Sequence, residues 1–552
     1  MNLNDADRAE SELRHALAGG NQGSIATAVL DNVWPLYSSH HELLLSTIVA
    51  LPSPLLERHP ILRLLHPLTP VLARTARPFK PLVSADQARL FGPDELDLLA
   101  LAQMIAFRSS GDLESSLVYA RRLEDRIVQT RVESRERTDG PLWYYHHEIG
   151  STLLAAGDSV RALVEFATAR QLGRFALQRD AERLALGRMA LAHAMRGSLD
   201  DAVNALAEAA KQPPATPAHR SAARATESAA SALVGAERLA DDLDERLAAL
   251  EPYDSVELTW PFALLARSRS LLARHRPDEA LEAIRLAAAA HPTQSGSFAD
   301  DVVAAASIEA LIALGEFAAA RSLAGSDGSG VLTSLARVRL GLHEGDVDGA
   351  ARLLRTLGAD RTLGPAAHAE WLVLSAWHEF ATTGGLLRDT AVRVLRVGTR
   401  RDSRRLFASA PRQLVELVRQ HLPQDIPRGF DGMVGDLERI DIKARPQLTV
   451  GELRILRALP AHDTTAAIAA SFHVSPNTVK SQLQSMYRKL GCSTRDEALR
   501  LAAGYRLFSE APGSPRTPSV PVTALHATSG TVRRPVAVAR TVEAAGPREA
   551  DR

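Results

Sequence analysis

The 552-residue sequence predicts an all-α protein, an α-solenoid of helical hairpins followed by a compact four-helix unit. Three observations carry that reading. Ala, Leu and Arg dominate up to about residue 435 and aromatic residues make up only 5% of the chain, which favours helix over strand. A turn written G-x-x-x-x-A recurs at steps close to 40 residues. From Leu448 onward, apolar stripes at helical spacing alternate with residues that cap helices.

In chain order the repeats come first. Gly157 to Ala162, Gly197 to Ala202, Gly235 to Ala240, Gly315 to Ala320 and Gly345 to Ala350 fit the pattern, and His275 to Ala280 fills the gap, giving steps of 40, 38, 40, 40 and 30 residues. Gly111, with Leu117 beyond it, opens a degenerate earlier copy. Each unit reads as a hairpin, with Gly at the tight turn and Ala where the two helices approach closely. Trp143, Trp260 and Trp371 fall in the helix before such a turn and are expected to pack between repeats. The helical-repeat domain is assigned to residues 1–421. The apolar fraction, 45%, is ample for large cores, yet no uninterrupted apolar stretch approaches a membrane span, and the chain opens without a basic segment leading into an apolar run. The expected location is the cytoplasm.

Other chemistry finds little support in this region. His40-His41-Glu42 and His146-His147-Glu148 lack the second His at helical spacing of a metal motif, so solvated or capping histidines are expected and no metal. No G-x-S-x-G elbow and no recognisable carboxylate pair occurs, so neither an enzyme nor a cofactor is expected. The basic run Arg400, Arg401, Arg404 and Arg405 is expected to be a wetted face, with phosphate contact as the alternative. Cys492 stands alone and reads as a small packing residue.

Pro423, Pro427, Gly429, Gly432, Gly435 and Pro446 break helix repeatedly, so residues 422–446 read as a linker. In residues 447–508, Thr449 and Glu452 form a capping box for a helix running to about Leu459, with Leu453, Leu456, Leu459 and Ile455 on its apolar side. A short helix from about Thr464 to Phe472 buries Ile468 and Phe472. Ser475 caps a third helix, Pro476 suits its first position and Gly491 ends it. Val479, Leu483, Met486 and Leu490 form its buried stripe; Asn477, Lys480, Ser481, Gln484 and Arg488 point away with no acid among them. Short polar side chains beside cations on a helix of this width suit the major groove of B-DNA. A fourth helix starts at Ser493 or Thr494, with Thr494 and Glu497 as a second capping box and Gly504 as a stop. Charge agrees: residues 445–508 carry nine Lys/Arg against four acids, plus five, whereas the chain before Arg445 carries minus seven. Residues 509–552, with six prolines and no Phe, Trp or Tyr, are expected to be disordered.

Residues Leu448 to Phe508 resemble, without a gap, the LuxR-type family of bacterial transcription regulators. The chain keeps Leu448, Thr449, Glu452, Ile468, Ala469, Ser475, Thr478, Val479, Lys480, Lys489, Leu490, Gly491, Arg495 and Ala498 of that pattern. It departs at Gly451, where the family usually has Arg, at Gln482, where it usually has His, and at Ala467, where Glu is frequent. The resemblance implies that Lys480, Ser481 and Gln484 touch bases, that Ser475, Asn477, Thr478, Arg488 and Lys489 contact the DNA backbone, and that Leu499, Ala502 and Ala503 pair two copies on double-stranded DNA. RNA polymerase is then an expected partner. The repeats, with residues 43–62, resemble the tetratricopeptide-like part of the large ATP-dependent LuxR-type regulators. None of the five lysines (80, 211, 443, 480, 489) follows a glycine as a phosphate loop requires, so a relative without ATP-dependent switching is expected. The expected whole is a sequence-specific transcription regulator whose repeats sense a peptide, a protein or a small ligand. The competing reading is a helical-repeat interaction scaffold with a weak or tethering DNA-binding domain.

Overall fold

Alanine- and leucine-rich segments form helix after helix, and no strand occurs among the described residues. The computed structural model describes residues 3–59, 62, 93–129, 139–253, 258–291, 293–325, 330–398, 404–421, 430, 434, 435, 437, 448–490 and 492–504. The chain divides into two compact units, residues 1–443 and 444–552.

The first unit opens with α1 (Leu3–Gly19), α2 (Gln22–Asp31), α3 (Val33–Ser39), α4 (His41–Ala50) and α5 (Ser53–Arg58), closed around Leu13, Leu36, Leu44 and Ile48. Hairpins follow: α6 (Pro93–Ser109) with α7 (Leu113–Gln129), α8 (Asp139–Ala155) with α9 (Ser159–Phe175), α10 (Ala181–Arg196) with α11 (Leu199–Lys211), and α12 (Pro217–Arg238) with α13 (Leu243–Leu250). Then come α14 (Trp260–Ala273) with α15 (Pro277–Ala290), α16 (Phe298–Ala313) with α17 (Phe317–Ala324), α18 (Val331–Glu344) with α19 (Val347–Ala359), and α20 (Pro365–Thr383) with α21 (Arg388–Gly398). The short α22 (Arg404–Ala408) and α23 (Arg412–His421) complete the series. From α6 to α20, the first helix of each hairpin packs on its own partner and on the first helix of the next pair. That is the contact order of stacked hairpins.

Turn chemistry explains where the hairpins bend. Gly111, Gly157, Gly197, Gly315 and Gly345 adopt φ between 76° and 89°, the left-handed region in which glycine carries no Cβ penalty. His275 takes the same role at φ 55°. Gly235 departs from the expectation, because it lies inside α12 and Leu239, at φ 45°, makes the turn. Its need for glycine is close packing: a Cβ there would stand 2.9 Å from Arg246 Cδ and 3.2 Å from Leu243 Cδ1 of α13. Ala162, Ala202, Ala280, Ala320 and Ala350 are buried at the matching close approaches. Trp143 and Trp260 are buried between hairpins, and Trp371 donates its Nε1–H to Leu354 O at 2.8 Å.

A second pattern crosses the hairpins. Glu237 on α12, Arg269 on α14, Glu309 on α16, Arg339 on α18, Glu370 on α20 and Arg405 on α22 form one chain of ion pairs. Arg405 Nε reaches both oxygens of Glu237, at 2.9 and 3.0 Å, and its Nη2 reaches Glu370 at 3.2 Å. Arg339 Nη2 meets Glu370 at 2.6 Å, and the Arg269–Glu237 and Arg339–Glu309 bonds complete the series. Burial opposes the charge on Glu370, but Arg339, Arg405 and Arg269 outweigh it and hold its carboxyl down at about 2. Arg405 is therefore not part of a wetted basic face: it is buried, and Arg404 beside it is half-buried, while Arg400 and Arg401 lie outside the described residues.

The histidine motifs also differ from the expected solvated or capping role. His147 is buried against Glu148, which binds Arg108, while His146 Nδ1 lies 2.6 Å from Glu165. His41 packs edge-on against Tyr37, and His40 leaves the first turn of α4 without a side-chain cap. The late hairpins also return to earlier ones: α20 touches α10, and α22 touches α12 and α14. Phe430 and Val434, from the Pro/Gly-rich stretch 422–446, are buried in the core of this unit, Phe430 edge-on to Phe407 at 5.9 Å. No helix among the described residues is long and apolar enough to cross a membrane. The stretch 509–552 lies outside the described residues.

Candidate nucleic-acid interface

The second unit is built from α24 (Val450–Ala458), α25 (Thr465–Phe472), α26 (Pro476–Leu490) and α27 (Arg495–Gly504). Both halves of the first capping box are present. Glu452 N–H donates to Thr449 Oγ1 at 3.3 Å, and Thr449 N–H donates to Glu452 Oε2 at 2.7 Å. Thr464 caps α25 through Ala467 N–H, and His473 ends that helix in the left-handed conformation at φ 55°. Ser475 then caps α26: its Oγ accepts from Thr478 N–H at 3.1 Å and lies 2.8 Å from Thr478 Oγ1. The second capping box is shifted by one residue, since Thr494 Oγ1 accepts from Glu497 N–H but the Glu497 carboxylate accepts from Ser493 N–H. Gly491, expected to end α26, lies outside the described residues.

These caps fix how α26 is presented. Val479, Leu483, Met486 and Leu490 are buried, packed with Ile455, Leu456, Leu459, Ile468, Ala469, Ala498 and Ala502. Arg454 lies over the Phe472 ring at 4.4 Å, and Arg495 donates to the carbonyls of Leu459 and Asp463, tying α27 to the end of α24. On the opposite side Asn477, Thr478, Lys480, Ser481, Gln484 and Arg488 are exposed, and α26 contains no acid. The base-contact candidates Lys480, Ser481 and Gln484 thus share one solvent-facing surface with Ser475, Asn477, Thr478 and Arg488.

Lys489 is placed differently. Its Nζ donates to Glu452 Oε2 at 2.7 Å, bracing the far end of α26 against α24. Burial works against the charge of Glu452, yet the bonds from Lys489, the Thr449 N–H and Ser485 prevail and hold its carboxyl down at about 2. Of the residues expected to pair two copies, Ala502 is fully buried in the unit's own core, Leu499 packs half-buried against that core, and the Ala503 side chain lies outside the described residues.

One contact was not read from the sequence. Gly451 and Gln482, two of the departures from the familiar pattern, face each other: a Cβ on residue 451 would come within 3.0 Å of Gln482 Nε2. The absent side chain makes room for the amide, so the two departures form one local repacking of α24 on α26. Nothing short of a helix-on-helix register could have paired residues so far apart in sequence.

Comparison with known proteins agrees with this geometry. Residues 446–502 match the model of the family described as bacterial regulatory proteins, luxR family. Over 82 residues the chain is 34% identical to the probable transcriptional regulatory protein NarL of Mycobacterium tuberculosis, covering 15% of this chain and 38% of that one. Over 56 residues it is 45% identical to the transcriptional regulatory protein YdfI of Bacillus subtilis, covering 10% of this chain and 26% of that protein. The chain thus spans less than two fifths of the length of these curated relatives. No solved structure matches. Residues 446–502 are a LuxR-type helix-turn-helix domain.

Proposed function

We propose, starting from that LuxR-type domain, that the protein is a sequence-specific DNA-binding transcription regulator. The observation that carries the reading is the two-sided α26: an apolar stripe anchored in the domain and an exposed, acid-free face of Asn477, Lys480, Ser481, Gln484 and Arg488. In the major groove, Lys480, Ser481 and Gln484 reach base edges. Ser475, Asn477, Thr478 and Arg488 meet phosphates, helped by the dipole at the start of α26. Lys489, held by Glu452, acts chiefly as a brace and only secondarily on phosphate. Two copies pair through the exposed part of α27 around Leu499 and read an inverted repeat with half-sites about one helical turn apart. The hairpins of the first unit sense an effector and pass that state to RNA polymerase through the DNA-bound domain, in the cytoplasm.

The test is selection of bound genomic fragments followed by titration of the selected site. Lys480→Ala and Gln484→Ala should each cost ~1–3 kcal/mol at that site and narrow the gap between selected and random DNA. Unaltered affinity and selectivity in the double variant would retire the proposed groove face. A salt titration separates the scaffold reading, which requires only non-specific affinity that fades by physiological salt.

A further inference from the structure

Among the described residues, helices α1–α5 and the hairpins keep separate hydrophobic cores, and an aromatic joint connects them. Trp34 of α3 meets Tyr144 and Tyr145 of α8 edge-on at 5.7 and 5.8 Å, Tyr37 of α3 meets His219 of α12 edge-on at 5.4 Å, and α4 touches α12. A hydrogen-bonded chain runs through the joint. Asp180, the N-cap residue of α10, lies 2.8 Å from His219 Nδ1; His219 Nε2 lies 3.2 Å from the Tyr37 hydroxyl; and that hydroxyl lies 3.4 Å from the Tyr144 hydroxyl. Asp180 and His219 both belong to the hairpins, so their bond does not depend on the α1–α5 bundle. Tyr37 and His41 are what the bundle brings.

His41 of α4 packs edge-on against Tyr37 at 5.1 Å, and its Nδ1 is buried without a hydrogen-bond partner. A charged imidazole carries an N–H on both ring nitrogens, so protonation would leave a buried donor unsatisfied there. Burial first and His219 second push its basicity down, against a smaller opposite pull from Glu42, its exposed neighbour on α4. The other acids around the joint are already engaged. Asp180 holds His219 and Thr216, Glu148 of α8 holds Arg108 and His147, and Arg183 of α10 is paired with Glu227. His147 stacks on Tyr144 with its Nε2 buried and unpartnered, and Arg188 of α10 lies close enough to lower its basicity further. Burial pushes the Tyr37 hydroxyl up to about 12 and the Tyr144 hydroxyl well above its usual range, so neither phenol supplies a counter-charge.

We propose that this joint is a pH-sensitive latch, in which protonation of His41, facing a His219 held to Asp180, releases α1–α5 from the hairpins. Release gives His41 Nδ1 water to bond, and a charge on His219 adds repulsion across Tyr37. Because the basicity of His41 is depressed while docked, docking is intact above the ordinary imidazole value of about 6.5 and weakens as pH falls below it. An imidazole that stays neutral while docked and titrates freely once released shifts the docking equilibrium about tenfold between pH 7.5 and pH 5.5. The latch needs no effector and stands apart from the DNA-binding face proposed above.

Electron–electron double resonance on the full chain tests it, with Cys492→Ser as background and spin labels at Thr27→Cys on α2 and Ala207→Cys on α11, both exposed positions. At pH 7.5 one distance should dominate. At pH 5.5 a longer distance should gain about tenfold in its ratio to the short one and vanish again on return to pH 7.5. A control pair within the hairpins, Ala207→Cys with the exposed Thr356→Cys of α19, should keep its distance throughout. His41→Phe keeps a ring on Tyr37 and His41→Gln keeps a polar group; both should hold the short distance at pH 5.5. The latch is overturned by an unchanged distribution at pH 5.5, by a control pair that lengthens alongside, or by lengthening that persists in either variant that docks normally at pH 7.5.

Discussion

The two units treat charge in opposite ways. The helix-turn-helix domain has an apolar core and presents the polar face of α26 outward, with Lys489 and Glu452 as its one braced ion pair toward the interior among the described residues. The hairpin unit takes charge inside, alternating Glu and Arg over six helices from Glu237 to Arg405. A surface that must meet a polyanion needs cations whose partners are absent until the ligand arrives. A stack of hairpins gains something else from buried ions, because buried charges that must each find an opposite partner disfavour shifted registers of its helices, whereas Ala against Leu tolerates several.

That contrast can be broken most forcefully at Arg405. Arg405→Ala strips Glu237 and Glu370 of a shared buried partner and should cost about 3–5 kcal/mol. All five tryptophans lie in the hairpin unit, so a denaturant titration followed by tryptophan fluorescence reads that unit alone. An undiminished midpoint would mean that the ion chain does not set its stability. Acidification should come next in size. His343, beside Trp377 and near Arg339, has its basicity pushed down to about 4 by burial first and Arg339 second. The unfolded chain, with an ordinary imidazole, takes up the proton more readily, so stability should fall as pH drops from about 6.5 to about 4, by about 3 kcal/mol. Glu370 extends the fall to lower pH, since its stabilisation is present above the ordinary carboxylate range and is lost toward about 2. His343→Gln should flatten the upper part of the profile and leave the lower part; an unchanged slope between pH 6.5 and 4 would dissociate His343 from the effect. The smallest change belongs to the other unit. Thr449→Ala should cost ~1 kcal/mol, seen as faster amide exchange in residues 450–458 with no shift in the tryptophan midpoint. A shift in that midpoint would show the two units to be energetically joined.

Much of the smaller unit was legible because its determinants are local. Thr449 with Glu452, Ser475 before Pro476, and the stripe Val479, Leu483, Met486 and Leu490 each lie within a few helical turns, and every one takes the expected place. What escaped there needed a neighbouring helix: the Lys489–Glu452 pair, the meeting of Gly451 with Gln482, and the inward turn of Ala502. In the larger unit the turn period was visible, though Gly235 was assigned a turn that Leu239 makes. The buried charges were missed because, read singly, each resembles a solvent-facing residue, as Arg405 did. A signal was present. Arg269, Glu309 and Arg339 each stand six residues before a left-handed turn residue (His275, Gly315 and Gly345), and Glu148 and Arg188 each stand nine before Gly157 and Gly197. Opposite charges alternating at the repeat period mark an interior seam, because a wetted face carries no such constraint.

Arrays of hairpins ordinarily fray from their ends, each unit leaning only on the next. The bond between Arg405 and Glu237 joins positions 168 residues apart and denies this array that freedom. Loss of the short helix bearing Arg405 strips a counter-ion from the middle of the stack as well as from its end, so the segment from α12 to α22 should come apart as one event, and a protease should find either an intact body or a wholly opened one.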